Sequence, residues 1–427
     1  MPSPSWLPSA IIYQIFTGRW EAEISGDQII KQDTFQSFKN RDWQRLKDLG
    51  INTLYFLGIW DNHGPIIVHE EEGVDLFGKQ PRIPSVFAII DHTAFHPDLG
   101  NNEDFQALLN HLHSLDFKVI VDFVPNHTST VHPWVTDHPE YYHLNLSQES
   151  DVRNQMFITE FSGDVYKLNY QNPELRDRML QIIQHIFSHG VDGIRCDMAH
   201  LIPNDFWSAA ITNIKATYQE AAFIAESYPY SPFDYSRIHG LLNAGFDAVY
   251  NKDLYDTLIE VMVNHQPLIW LSSHLNALKN NFNPIIHNSS FIIPAINFFS
   301  NHDEPPPAIS SSSQRSNVND QLSNSYLEAL LSVILFIPGI PFIYNGNLLG
   351  LDHRLAHHWF EPLPSQYIET GNQLPDNILK LFQLRQQRHP HGISSEHFYT
   401  EATENQLILK NQDHKGQEYQ LPINFFN

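Results

Sequence analysis

The stretch "VDGIRCDMAHL", residues 191–201, begins as a buried strand, yet it contains an arginine, an aspartate and, three residues further on, a histidine. Charged groups are seldom left inside a protein without partners. Residues two apart on a strand share a face, so Arg195 and Asp197 point the same way and Cys196 points the other. In a barrel that pair would look into the mouth, and Cys196 would be a small core residue facing the helices.

Working outward, seven more strand-like runs flank this one: "AIIYQIF", "INTLYFLGI", "FKVIVDF", "AAFIAE", "FDAVY", "FIIPAINFF" and "IPFIYNG". Amphipathic stretches lie between them at Asp104 to Leu115, Pro173 to His189 and Leu322 to Leu335, with another at Asp376 to Arg388. Strand and helix in repeated alternation predict an α/β fold, the closed (β/α)8 TIM barrel, whose sites gather where the strands end. One connection, from His127 to about Asn172, is too long for a plain crossover. It is polar, His-rich and Pro-punctuated, has no helical pattern, and reads as a small inserted subdomain after strand three. After about His391 short alternating runs suggest a β appendix. The expected division is residues 1–126 for the first part of the barrel, 127–172 for the insert, 173–391 for the rest of the barrel and 392–427 for a short C-terminal β segment. Ser310 to Asp320 reads as a mobile loop.

A formal charge of −23 repels phosphate backbones and anionic lipid, so no nucleic-acid or membrane partner is expected. With one cysteine there is no internal disulfide, and the first residues lack the basic start and apolar run of a signal peptide, which places the protein in the cytoplasm. No apolar run approaches the roughly 20 residues of a membrane span. Nothing in these patterns fixes an oligomeric state.

The other strand ends carry acids as well. "AAFIAES" ends in Glu226, "VDFVPNH" supplies Asp122, Asn126 and His127, and "FFSNHDE" supplies Asn301, His302 and Asp303. Any one acid at a barrel rim reads best as a salt bridge or a cap. Several acids, two histidines and an arginine at four strand ends read as a site. An acid beside a guanidinium stays ionised, whereas one facing other negative charges in a partly dry pocket holds its proton longer. One anionic and one protonated carboxyl is the pair that glycoside cleavage needs. No phosphate-cradling glycine loop, serine elbow or HExxH motif competes.

The runs "DFVPNH", "GIRCDMAH", "IAES" and "FFSNHD" resemble, in order, the four signature regions of the α-amylase family, glycoside hydrolase family 13, and the likeness extends over roughly residues 10 to 390. The resemblance implies a retaining enzyme acting on α-1,4-glucosidic bonds of maltooligosaccharides or glycogen- and starch-like glucans. It equally fits a 4-α-glucanotransferase using the same residues. Asp197 would be the nucleophile, Glu226 the general acid and later the base, and Asp303 the residue that grips sugar hydroxyls. Arg195 would orient Asp197 and keep it charged, His127 and His302 would bond the same sugar, Asp122 would support them, and His200 would also lie at the substrate. Phe87 stands where relatives usually carry a stacking tyrosine. A non-catalytic sugar-binding protein on this fold is the remaining alternative, but such relatives lose catalytic acids and all three are here.

Several positions depart from the family pattern. Ala199 occupies the place of a lysine that contacts the leaving part of the glucan, Asn347 and Leu348 replace the usual Gln-Glu, His92 replaces a tyrosine, and the C-terminal segment is shorter than the usual β-sandwich. The family's structural Ca²⁺ would use Asn126, an acid of the insert and the backbone oxygen of His200. Lys167 falls at the acid's position, unless the alignment slips to Asp164. Calcium needs oxygen ligands and negative charge, so no cofactor and no metal are expected, and a Lys167 ammonium is expected near Asn126. His353 and His357 share a helical face but lack a third ligand.

Overall fold

The computed structural model describes residues 2–64, 82–144, 157–160, 163–231, 234–282, 294–307, 323–355, 360–363 and 374–425. Eight strands form a closed barrel: β1 Ile12–Phe16, β2 Thr53–Leu57, β3 Lys118–Phe123, β4 Gly193–Cys196, β5 Ala222–Ala225, β6 Ala248–Tyr250, β7 Ala295–Asn297 and β8 Ile340–Tyr344. Each pairs in parallel with its sequence neighbours, and β1 closes the ring against both β2 and β8. The eight expected runs are these eight strands. They were legible because a parallel strand is covered on both faces and so becomes an unbroken apolar run; β1 and β2 are buried at every position. Gly193 lets β4 approach β5 closely, since a Cβ there would stand 3.0 Å from that of Ala222.

The expected helices are present as Asn102–Ser114, Pro173–Ser188, Asn324–Phe336 and Asp376–Arg388. The first starts ahead of its apolar pattern because Asn101 and Asp104 form a capping box. Its buried residues, Phe105, Leu108, Leu109 and Leu112, make the stripe that faces the sheet.

The segment after β3 carries a three-stranded antiparallel sheet of His127–Ser129, Val165–Lys167 and Thr159–Glu160. It also holds a helical turn, Trp134–Asp137, and a 3-10 turn, Pro139–Tyr141, where no helix was expected. Proline at a first position needs no backbone donor, and Pro139 opens the 3-10 turn, while Pro133 caps the helical turn just before Trp134. Two more additions were not foreseen, a hairpin of Glu23–Ser25 with Gln28–Lys31 and a pair of Trp60–Asp61 with Asp91–Phe95. Strands of two to five residues leave no alternation to read.

At the C-terminal end Tyr399–Ala402, Gln406–Gln412 and Glu418–Asn424 form an antiparallel sheet. It is fastened to helix Ile269–Phe282 by Ser272 Oγ and Thr400 Oγ1 at 2.7 Å and by two bonds between Asn276 and the Thr400 backbone. Among the described residues no helix is long and apolar enough to cross a membrane. The expected loop Ser310 to Asp320, and His357, lie outside the described residues.

Candidate active site

Arg195, fully buried on β4, is the centre of the site. Its Nη1 donates to Asp197 Oδ1 at 2.7 Å and to Asp122 Oδ1 at 3.2 Å, and its Nη2 lies 2.8 Å from Glu226 Oε2. Asp122, Asp197 and Glu226 are 2%, 5% and 3% exposed, so three carboxyls share one guanidinium out of contact with bulk water. Neighbouring strands make this unavoidable: Arg195 pairs with Asp122 on one side and Ile224 on the other, which sets Glu226 one step beyond the paired residues.

Burial pushes the Asp197 carboxyl well above its usual value; Arg195 opposes this, while Glu226 and Asp122 add to it. Asp122 is also raised by burial, against Arg195 and the Tyr55 hydroxyl. Burial by itself lowers the Arg195 guanidinium, but Glu226, Tyr55 and Asp197 carry it well above its ordinary value. The guanidinium reaches Asp197 and Glu226 at nearly the same distance, 2.7 and 2.8 Å, so Arg195 holds both acids rather than Asp197 alone.

His302, in the loop that follows β7, is buried, with Nε2 3.0 Å from Asp303 Oδ2 and Nδ1 2.9 Å from Gln14 Nε2. Asp303 is about a third exposed. Phe87 covers the cluster, its ring 5.3 Å from that of His302 and 5.5 Å from the Arg195 guanidinium carbon. The mouth thus offers buried acids below, a partly exposed acid at one side and an aromatic wall.

Comparison with known proteins decides what this arrangement belongs to. A family model described as "Alpha amylase, catalytic domain" matches residues 43–152 and 140–411. The chain belongs to the α-amylase family. As such it is an enzyme, in a family whose members here include glycoside hydrolases and transferases. It is 24% identical over 414 residues to α-amylase 3 of Dictyoglomus thermophilum, covering 88% of this chain and 73% of that one. It is also 24% identical over 327 residues to a 4-α-glucanotransferase of Thermotoga neapolitana, covering 67% of this chain and 66% of that one. Among solved structures, a noncanonic maltogenic α-amylase from Thermotoga neapolitana superposes with TM-score 0.73 at 22% identity, covering 98% of this chain and 86% of the other. A cyclic α-maltosyl-(1→6)-maltose hydrolase from Arthrobacter globiformis, in complex with maltose, gives 0.74 at 18%, covering 99% and 92%. At these identities the structural likeness shows the fold.

In this α-amylase-family barrel, the remaining expected residues spread around the mouth. His127 begins the small sheet, buried, with Asn126 Nδ2 3.2 Å from its Nδ1. The ring of His200 lies 5.9 Å from that of Tyr228, and burial lowers its pKa, with Arg237 adding to the effect. Lys167 pairs with His127, and the next residue, Leu168, donates its N–H to the Asn126 carbonyl, so the backbone of Lys167 runs beside Asn126. His353 holds Asp352 and Glu361, one at each ring nitrogen. Cys196 is buried, and burial pushes its thiol well up. Three tyrosines of the site were missed. Tyr55 donates to Asp122 at 2.6 Å, Tyr228 donates to Glu226 Oε1, and the Tyr250 ring lies 5.7 Å from the Arg195 guanidinium. Only Tyr228 had a signal, standing two residues after Glu226.

Proposed function

We propose that the protein hydrolyses α-1,4-glucosidic bonds of maltooligosaccharides or of glycogen- and starch-like glucans, with retention of anomeric configuration. The observation that carries this reading is the single guanidinium of Arg195 holding Asp197 and Glu226 at the ends of neighbouring strands. In the first step the ionised Asp197 attacks the anomeric carbon, while Glu226 gives its proton to the glycosidic oxygen as that bond breaks. In the second, the Glu226 carboxylate takes a proton from water, whose oxygen attacks the same carbon and releases Asp197. Arg195 fixes Asp197 through Oδ1. Asp303, His302 and His127 would bond hydroxyls of the sugar at the cleavage point, Phe87 would give its ring an apolar face, and His200 would border the acceptor side. The burial of the acids keeps bulk water from the glycosyl-enzyme. A single cysteine suits a reducing compartment, which supports a cytoplasmic location.

The second reading, a 4-α-glucanotransferase, uses the same first step and replaces water by a sugar hydroxyl. It is supported by the likeness to the 4-α-glucanotransferase of Thermotoga neapolitana. Incubation with maltotriose separates the two: glucose and maltose alone mark hydrolysis, and early products longer than the substrate mark transfer. Proton NMR of the first product shows an α-anomer if configuration is retained; a β-anomer overturns the mechanism.

A further inference from the structure

Away from the acids, the loop leaving β2 carries a second group of ligand-type side chains. His63, His96 and Asp98 each present one ring nitrogen or carboxylate oxygen, and these atoms lie within 4.8 Å of one another. The two imidazoles touch, with centroids 4.7 Å apart and planes tilted by 46°. A further carboxylate, Asp61, has Oδ1 3.7 Å from His63 Nδ1. The backbone beneath them is fixed, because Trp60 pairs with Phe95 and the N–H of His96 donates to the Ile59 carbonyl at 2.8 Å. A cavity of about 140 Å³ opens beside them, lined among others by Gln32, Asn62 and Arg19.

We propose that His63, His96 and Asp98 bind a divalent transition-metal ion of the zinc type, with Asp61 or water completing its shell. Two imidazoles with carboxylate suit zinc, whereas calcium and magnesium prefer all-oxygen shells. Bonds of about 2.1 Å in a tetrahedron separate ligand atoms by about 3.4 Å. The cluster must therefore contract, and the exposed side chains of His63 and Asp98 have room to rotate inward. Asp98 N–H donates to His96 Nδ1 at 3.2 Å, a long bond that an ion at this nitrogen would replace, leaving an exposed amide to water. These residues were not foreseen as a site, because 33 positions separate the two histidines and only strand pairing joins them.

The ion would act on the mouth of the barrel. The N–H of Ile90 donates to the Asp61 carbonyl at 2.8 Å and Asn62 Nδ2 donates to the Ser85 carbonyl at 2.9 Å, and between Ser85 and Ile90 stands Phe87. A metal that clamps residues 61–63 to 96–98 would stiffen the segment holding Phe87 over Arg195.

The test is calorimetric titration of the full, EDTA-stripped and desalted chain with ZnCl₂ at pH 7.5, with CaCl₂ in parallel. One saturable Zn²⁺ equivalent is expected, together with a higher melting temperature. Its affinity should fall at least about tenfold in His96→Ala and in the exposed-site double variant His63→Ala/Asp98→Asn. Both variants should melt like the wild type in the absence of metal. Cobalt should give an intense visible band in the wild type and lose it in both variants. Unchanged zinc affinity in the double variant would assign binding to other histidines among the 25 in the chain and overturn the proposal, as would the absence of any saturable equivalent.

Discussion

The backbone N–H of Met198 donates to Glu226 Oε2 at 2.8 Å, tying the residue after Asp197 to the acid on the neighbouring strand. Two more bonds lace the same junction, from Ala199 N to the Glu226 carbonyl and from Glu226 N to the Cys196 carbonyl, each 3.0 Å. Met198 turns left-handed to make this geometry, with φ of 43°. A β-branched side chain fits that conformation poorly, so Met198→Val should lose about 1–3 kcal/mol of stability and lower kcat by displacing Glu226. Glycine in its place should keep both. Urea unfolding and initial rates on maltotriose measure this; a valine variant equal to wild type would show that the turn carries no constraint.

Asp197→Asn and Glu226→Gln should each reduce kcat by several orders of magnitude without loss of fold, because each removes one partner of a two-step covalent mechanism. The stability of Asp197→Asn should move the opposite way. A carboxyl raised by burial is a charge the folded state disfavours, so folding binds more protons than the unfolded chain and stability falls as pH rises through this range. The asparagine variant should melt higher than wild type at pH 7 and lose this advantage below about pH 4, where the acid is protonated in both states. Circular-dichroism melts at pH 7 and pH 4 check the sign; a lower melting temperature at pH 7 contradicts it.

Buried histidines give the reverse dependence. Burial lowers His92 and His274 to about 4, and His132 and His389 to about 3. Each is neutral in the fold, so its contribution is complete above the unfolded value near 6.5 and drains away as pH falls toward the lowered values. His274 is the cleanest probe, since its Nε2 is buried and meets no partner among the described residues. His274→Leu should raise the melting temperature, and by more at pH 5 than at pH 8. An equal shift at both values would mean that protonation plays no part.

Lys167 gives a prediction about calcium. Its backbone runs beside Asn126, where an acid would be needed to balance the ion. Protein stripped of metal should show the same melting temperature before and after addition of Ca²⁺. A large rise on adding Ca²⁺ would place an acid, such as Asp164, in that role.

What the sequence disclosed follows from the physics of each element. The barrel was readable because its strands are apolar on both faces, and Arg195, Asp197, Glu226 and Asp303 were readable because polar residues at strand ends interrupt those runs. Tyr55 and Tyr250 were not, since an inward tyrosine on a buried strand looks like core until its hydroxyl or ring meets a charged partner. The Trp60–Asp61 and Asp91–Phe95 pair is too short for any periodicity, and with it the meeting of His63 and His96 stayed hidden. Arg195's reach to both acids was hidden as well, because spacing gives the face of a residue and not the span of its side chain.

Gln14 on the first strand and His302 after the seventh hold each other at 2.9 Å across 288 residues of chain. During synthesis the first strand must therefore wait for 288 further residues to emerge before its inward amide meets its partner. Catalytic competence is then an all-or-nothing product of ring closure: a ribosome-bound fragment ending before His302 would hold Asp197 and Glu226 and still lack the finished floor of the site. Recovery of activity on refolding should accordingly be among the last signals to return, reporting closure of the barrel rather than formation of its helices.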